Sequence, residues 1–261
     1  MTVPMLQRLC VLAAAGVAIG ASFLQATGAL GLTPAEFANT GDSTVKAASY
    51  AFAIWGLIYA GLLIYGIYQL VPGWAEDAML RRFGWPSALS MVAIGAWLVA
   101  AGADWRWATV GLIALAALAL IVPLLSSSAR MRFRDALLIQ TPLALLAGWL
   151  TIATVLNAAT VLTAEGFVAD DLATWWAIGA LAIAAAVAVF VLLRSDALAY
   201  PLPLIWGLIA VFVAERDHRP EAAWFAVGCA LFLAALLVWR TARVLKPNSR
   251  DALTPASTPA P

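Results

Sequence analysis

The sequence predicts an all-α protein, a polytopic transmembrane helical bundle of about eight helices. Three observations carry that prediction. Eight long apolar stretches fill a chain that is 64% hydrophobic. The charged residues, 11% of the total, sit between those stretches and not along amphipathic faces. A charge at the centre of a bilayer costs at least about 2.5–3.5 kcal/mol, which accounts for their exclusion. Third, the basic residues divide unevenly between the two sides. With the N-terminus inside, Arg8, Arg81, Arg82, Arg130, Arg132, Arg134, Arg194, Arg240, Arg243, Lys246 and Arg250 share its side; only Lys46, Arg106, Arg216 and Arg219 face the other. Cytoplasmic loops carry such an excess. Open sheet edges do not survive in lipid, and the runs lack the period-two alternation of barrel strands, so the spans are helices.

The spans are expected at roughly 9–31, 48–71, 85–104, 107–125, 136–160, 172–193, 197–214 and 222–242, each near the ~20 residues that cross a hydrocarbon core. The first follows Arg8 and reads as a helix, not a signal peptide, because the run is long and further spans follow it. Its Gly16-x-x-x-Gly20 spacing suits close packing, either internal or in a homodimer. Leu32–Ala47 is the longest loop and reads equally as a functional segment or a connector. On the second span, Phe52, Trp55, Gly56, Tyr59, Leu63 and Gly66 share a stripe; Tyr65 and Tyr68 lie opposite and read as interfacial anchors. On the third, Ser90, Trp97 and Asp104 share a face. The third and fourth spans are joined by a very short turn at Asp104–Trp107. On the fifth, Trp149, Ala153 and Asn157 lie four apart on one side. Gln140 and Asn157 are polar amides in an apolar run, suited to interhelical hydrogen bonds or to a bound ligand. Ile54-Trp55-Gly56-Leu57-Ile58 recurs, running the opposite way through the membrane, as Ile205-Trp206-Gly207-Leu208-Ile209. The charged group Glu215–Arg219 reads as a solvated turn. The Pro-, Ser- and Thr-rich tail from Pro247 is expected to be disordered and cytoplasmic.

Tryptophan is the unusual component, with 12 copies. Trp74, Trp85, Trp105, Trp107, Trp175, Trp176, Trp224 and Trp239 fall near span ends, where indoles prefer the interface. Trp55, Trp97, Trp149 and Trp206 fall near mid-membrane, where each needs a partner for its N–H or a ligand to stack on. With no charge in mid-span there is no proton relay or ion pathway to read. The near-zero net charge implies no nucleic-acid partner. Cys10 and Cys229 are expected at opposite ends of the bundle, so neither a disulfide nor a metal site is predicted. No nucleophile–His pair suggests an enzyme.

Three of these stretches resemble the TspO/MBR family of tryptophan-rich sensory and translocator proteins. Tyr50-Ala51-Phe52-Ala53-Ile54-Trp55-Gly56-Leu57-Ile58-Tyr59 looks like the family's second-helix signature, W-x-F-G-P-V-W-T-x-L-Y. Ile94-Gly95-Ala96-Trp97 is similar to its third-helix L-N-x-x-W. Trp149 to Asn157 is similar to its fifth-helix W-V-x-F-A-x-x-L-N. The family's loop motif before the second helix is not present; Ile54 stands where the family has proline, and Ile94 where it has asparagine. The resemblance covers about residues 5–160. It implies a five-helix TspO-like portion over 1–160, a three-helix extension over 161–246 and a cytoplasmic tail over 247–261. It further implies an integral membrane binding or sensory protein for a hydrophobic planar molecule, tetrapyrrole- or sterol-like, with a transporter of lipophilic molecules as the alternative. Carried over residue by residue, Phe52, Trp55, Tyr59, Trp97, Trp149, Ala153 and Asn157 become candidate ligand-binding residues. No cofactor is required; porphyrin or haem enters as a ligand. The expected partners are the lipid bilayer, the lipophilic small molecule and, through the glycine pair, a second copy. An alanine-rich composition points to a bacterial inner (plasma) membrane, multi-pass, with both termini cytoplasmic.

Overall fold

A computed structural model describes residues 3–40, 44–71, 78–126 and 132–244. Trp74, Arg130, Lys246, Arg250 and the tail at 247–261 lie outside the described residues. Among the described residues, seven helices are long and apolar enough to cross a membrane, and an eighth apolar helix is shorter. The protein is a polytopic helical bundle.

Helix α1 (Met5–Ala26) starts after Pro4 and stops short of the expected residue 31. Its end is set by Gly28 and Gly31, which take φ of 76° and 92°, a region costly for residues with a Cβ. Gly31 lies directly against the backbone of Gly102, and the Leu32 N–H donates to the Gly102 carbonyl at 3.2 Å. Gly16 and Gly20 face open space, with nothing near a built Cβ at either. Packing within the described chain therefore does not use that pair.

The first loop holds a helix that the hydropathy pattern did not show, α2 (Pro34–Asn39). Thr33 and Glu36 form a capping box: the Thr33 hydroxyl accepts the Glu36 N–H at 3.3 Å, and the Glu36 carboxylate accepts the Thr33 N–H at 2.7 Å. Two orphan donors of the first turn are satisfied at once, and Pro34 occupies a position where its missing N–H costs nothing.

A 3₁₀ turn at Ser49–Ala53 leads into α3 (Ile54–Tyr68). Its buried face is Ile58, Leu62, Tyr65 and Gly66. This divides the expected stripe. Gly66 receives Leu12 of α1, whereas Leu63 is exposed and Gly56 meets open space. Tyr65 and Tyr68 are not interfacial anchors. Both are buried, and their hydroxyls pair with Ser87 at 3.0 Å and with the Asp135 carboxylate at 3.0 Å. A buried phenol needs such a partner, and both partners come from other helices.

Helices α4 (Ala78–Gly102) and α5 (Arg106–Leu125) are separate, as the short-turn reading required. Asp104 takes φ 54° in the turn. Arg106 closes it by bonding Asp104 at 3.1 Å and Glu165 at 3.0 Å. The single turn α6 (Phe133–Asp135) passes through a π-helical turn, Ala136–Gln140, into α7 (Thr141–Ala164). Pro142 cannot donate to the helical ladder, and a wide turn before it relieves the mismatch. The remaining helices are α8 (Ala173–Arg194), α9 (Pro201–Glu215) and α10 (Pro220–Val244).

With 15 residues, α9 rises only about 22 Å, less than the ~30 Å hydrocarbon core. It sits deep against α7. Gly148 of α7 lies against the Tyr200 carbonyl, and Gly207 of α9 receives the Ile152 side chain. The indoles Trp85, Trp105, Trp107, Trp175, Trp176, Trp224 and Trp239, placed near span ends by the sequence, are exposed; Trp206, placed near mid-membrane, is exposed as well.

Candidate functional site

One cavity gathers four of the five aromatic candidate residues, Phe52, Trp55, Trp97 and Trp149. Its walls are Phe52 from the 3₁₀ turn, Trp55 from the start of α3, Ile94 and Trp97 from α4, Ile113 from α5, and Trp149, Ile152, Ala153, Leu156 and Asn157 from α7. Gly207 of α9 completes the wall. Its roof is α2, through Pro34, Phe37 and Ala38, and the segment Val45–Ala47. Six of the seven candidate residues line this space. The seventh, Tyr59, does not; it stacks on Trp55 with ring centroids 5.1 Å apart and planes at 20°.

The rings are held at set angles. Trp149 meets the edges of Trp55 and Phe52 at centroid distances of 6.2 and 6.4 Å, with interplanar angles of 83° and 79°. Phe37 of the roof meets Trp97 at 6.3 Å and 80°. Edge-to-face pairs suit the aromatic quadrupole and add to burial. Trp97 and Trp149 are 8% and 4% exposed, so neither ring turns toward lipid. Trp206, the fourth mid-membrane indole, lies outside the cavity: its N–H donates to the Ala51 carbonyl at 3.1 Å and its ring packs on Tyr50. The two Ile-Trp-Gly-Leu-Ile segments are thereby brought close, with the second bonded to the residues just before the first.

Asn157 is engaged at both ends of its amide. Its carbonyl accepts the Trp97 indole N–H at 3.1 Å, and its NH₂ donates to the Thr109 hydroxyl at 2.9 Å. Thr109 in turn donates to the Arg106 carbonyl at 2.5 Å. The amide keeps one N–H and one lone pair to spare. Its first role here is to fix the Trp97 ring and to tie α4, α5 and α7 together. Gln140 stands away from the cavity at the π-helical turn and leaves its NH₂ unpartnered.

The roof is fastened from the far end of the chain. Glu215, read from sequence as part of a solvated turn, is 1% exposed. Its carboxylate accepts the Lys46 backbone N–H at 2.9 Å and an Arg219 N–H at 3.1 Å. The Ala48 N–H donates to the Ala210 carbonyl at 3.0 Å, and the Thr44 and Thr163 hydroxyls bond to each other. A buried carboxylate is tolerable only when so paired. Sequence reasoning missed Glu215, Phe37 and Gly207. The one local signal was the Thr33-x-x-Glu36 pattern, which marks a helix start in the loop.

The cavity's free volume is about 80 Å³. The site is thus a narrow aromatic slot under a tied roof. No curated protein and no solved structure matches this chain significantly. The family model described as "TSPO-like protein" matches residues 8–239, taking in the three helices beyond residue 160 as well as the first five. That match and the helical membrane bundle agree: the chain belongs to the TSPO-like family and is a membrane protein of the TspO kind.

Proposed function

We propose that the protein binds a hydrophobic, planar small molecule within the membrane, tetrapyrrole- or sterol-like, and acts as a binding or sensory protein for it. The observation that carries this reading is the convergence of Trp55, Trp97 and Trp149, from three different helices, on one almost wholly apolar cavity. Flat indole faces offer large contact area at little entropic cost, and an apolar wall with few polar groups is the usual form of a small-molecule site. Such sites commonly measure about 300–1,000 Å³. The free slot is smaller than that, so a ring system enters only when the roof lifts or the rings turn. Helices α2–α5 and α7, with Gly207 of α9, form the binding portion. The region after residue 160 supplies the fastening of the roof through Glu215 and Ala210.

Tryptophan-fluorescence titration with protoporphyrin tests the reading. Saturable quenching is expected in the native protein, with affinity reduced at least about tenfold in Trp149→Ala, the loss of one stacked ring. Absence of saturation, or an unchanged titration in a folded Trp149→Ala, would contradict it. Accumulation of the same molecule inside proteoliposomes would favour the transporter alternative over a sensor.

A further inference from the structure

A second apolar site lies on the other flank of α7 and is separate from the aromatic slot. Its walls are Thr154, Val155, Ala158, Ala159 and Leu162 of α7 and Trp175, Trp176, Gly179, Ala180 and Ile183 of α8; Thr44, Val168 and Leu172 close one end. Its volume is about 530 Å³, several times that of the slot. The depth comes from small side chains, Ala158, Ala159, Gly179 and Ala180, facing each other across the helix pair. Larger ones form the rims.

Three observations define what fits. The groove follows α7 from Thr154 to Leu162 and α8 from Trp175 to Ile183. At 1.5 Å per residue each wall is about 12 Å long, close to one leaflet's share, ~15 Å, of the hydrocarbon core. Its rim residues Leu172, Trp175, Trp176 and Ile183 are exposed and continuous with the apolar outer face of α8, the surface that meets the bilayer. Two of them are indoles at a helix end, where headgroups lie. The hydroxyls in the lining are already satisfied, Thr154 by the Leu150 carbonyl and Thr44 by Thr163. The walls therefore ask for hydrocarbon and for no polar atom.

We propose that this groove seats one acyl chain of a bilayer phospholipid from the leaflet on the side of the first loop, with Trp175 and Trp176 at its headgroup end. The lipid is part of the folded unit and fills the seam between α7 and α8. It lies against the helix whose opposite face lines the aromatic slot, and its headgroup end adjoins the Thr44–Thr163 contact that ties the roof.

Gly179 provides the test, because a Cβ there meets nothing within 4 Å. Gly179→Leu extends into the groove from a Cβ that meets no neighbour, and it improves helix propensity. Gly111 of α5 also meets open space, so Gly111→Leu adds the same bulk elsewhere. The full chain is purified in mild detergent with added palmitoyl-oleoyl phosphatidylcholine, and native mass spectrometry counts retained lipid. The native protein and Gly111→Leu are expected to keep one lipid. Retention in Gly179→Leu falls about tenfold, the effect of denying the chain roughly two buried methylenes. Should Gly179→Leu fail to fold, Ile183→Ala, which removes wall from an exposed position, lowers retention in the same direction. Equal retention in all proteins, or a native protein with no distinguished first lipid, would overturn the proposal.

Discussion

At the scale of residues, the site rests on a chain of side-chain bonds from Trp97 through Asn157 to Thr109. Asn157 stood out in the sequence as an amide in an apolar run, so the demand for a partner was legible. Which group met the demand was not, because Trp97 and Thr109 lie 60 and 48 residues away. Asn157→Leu keeps the branched heavy-atom shape and removes both bonds, leaving the Trp97 N–H unpaired. Interhelical bonds in membranes average about 0.6 kcal/mol and reach about 1.7; a buried donor left alone adds to that. A fall in unfolding stability of about 1–2 kcal/mol is expected in detergent, with Trp97 fluorescence more open to acrylamide quenching. Tyr65 and Tyr68 show the opposite limit. Periodicity gives a residue's face but not what covers it, and α4 together with the Asp135 turn cover these two.

At the scale of elements, the long apolar helices were legible because bilayer thickness fixes their length. Their ends were less so. The first stops early at glycines with positive φ, and the fifth is preceded by a π-helical turn before Pro142. Helix α2 escaped hydropathy because its six residues are held by caps, not by an apolar run. Thr33→Ala removes the cap, at a cost of about 1 kcal/mol, and exchange of the 34–39 amides should quicken while those of α4 do not change. Glu36 adds a pH dependence. Its bonds from Thr33 hold its pKa below the ordinary carboxylate value. A depressed pKa contributes stability that is present above the ordinary value and lost as pH falls through the lowered one. The 34–39 amides, corrected for intrinsic rates, should lose protection in that acidic window and keep it at neutral pH.

At the scale of the molecule, α9 wraps back onto the slot: Gly207 lines it, and Glu215 and Ala210 fasten its roof. Residue 46 is tied to residue 215 and residue 48 to residue 210. No local pattern announces contacts across such sequence distances, and a dense charged turn reads as solvated until its neighbours are known. Glu215→Ala removes the acceptor of the Lys46 N–H and of Arg219. The roof should loosen, with protoporphyrin dissociation accelerated several-fold while α7 and its indoles remain packed; stopped-flow fluorescence checks this. The most direct test of the whole account is photolabelling with a diazirine-bearing protoporphyrin, the adducts being mapped by peptide mass spectrometry. Saturable labels on Phe52–Trp55, Trp97 and Trp149–Asn157, removed by excess unlabelled protoporphyrin, are the predicted result. Labels confined to the exposed faces of α8 and α10, or labels that no competitor displaces, would contradict it.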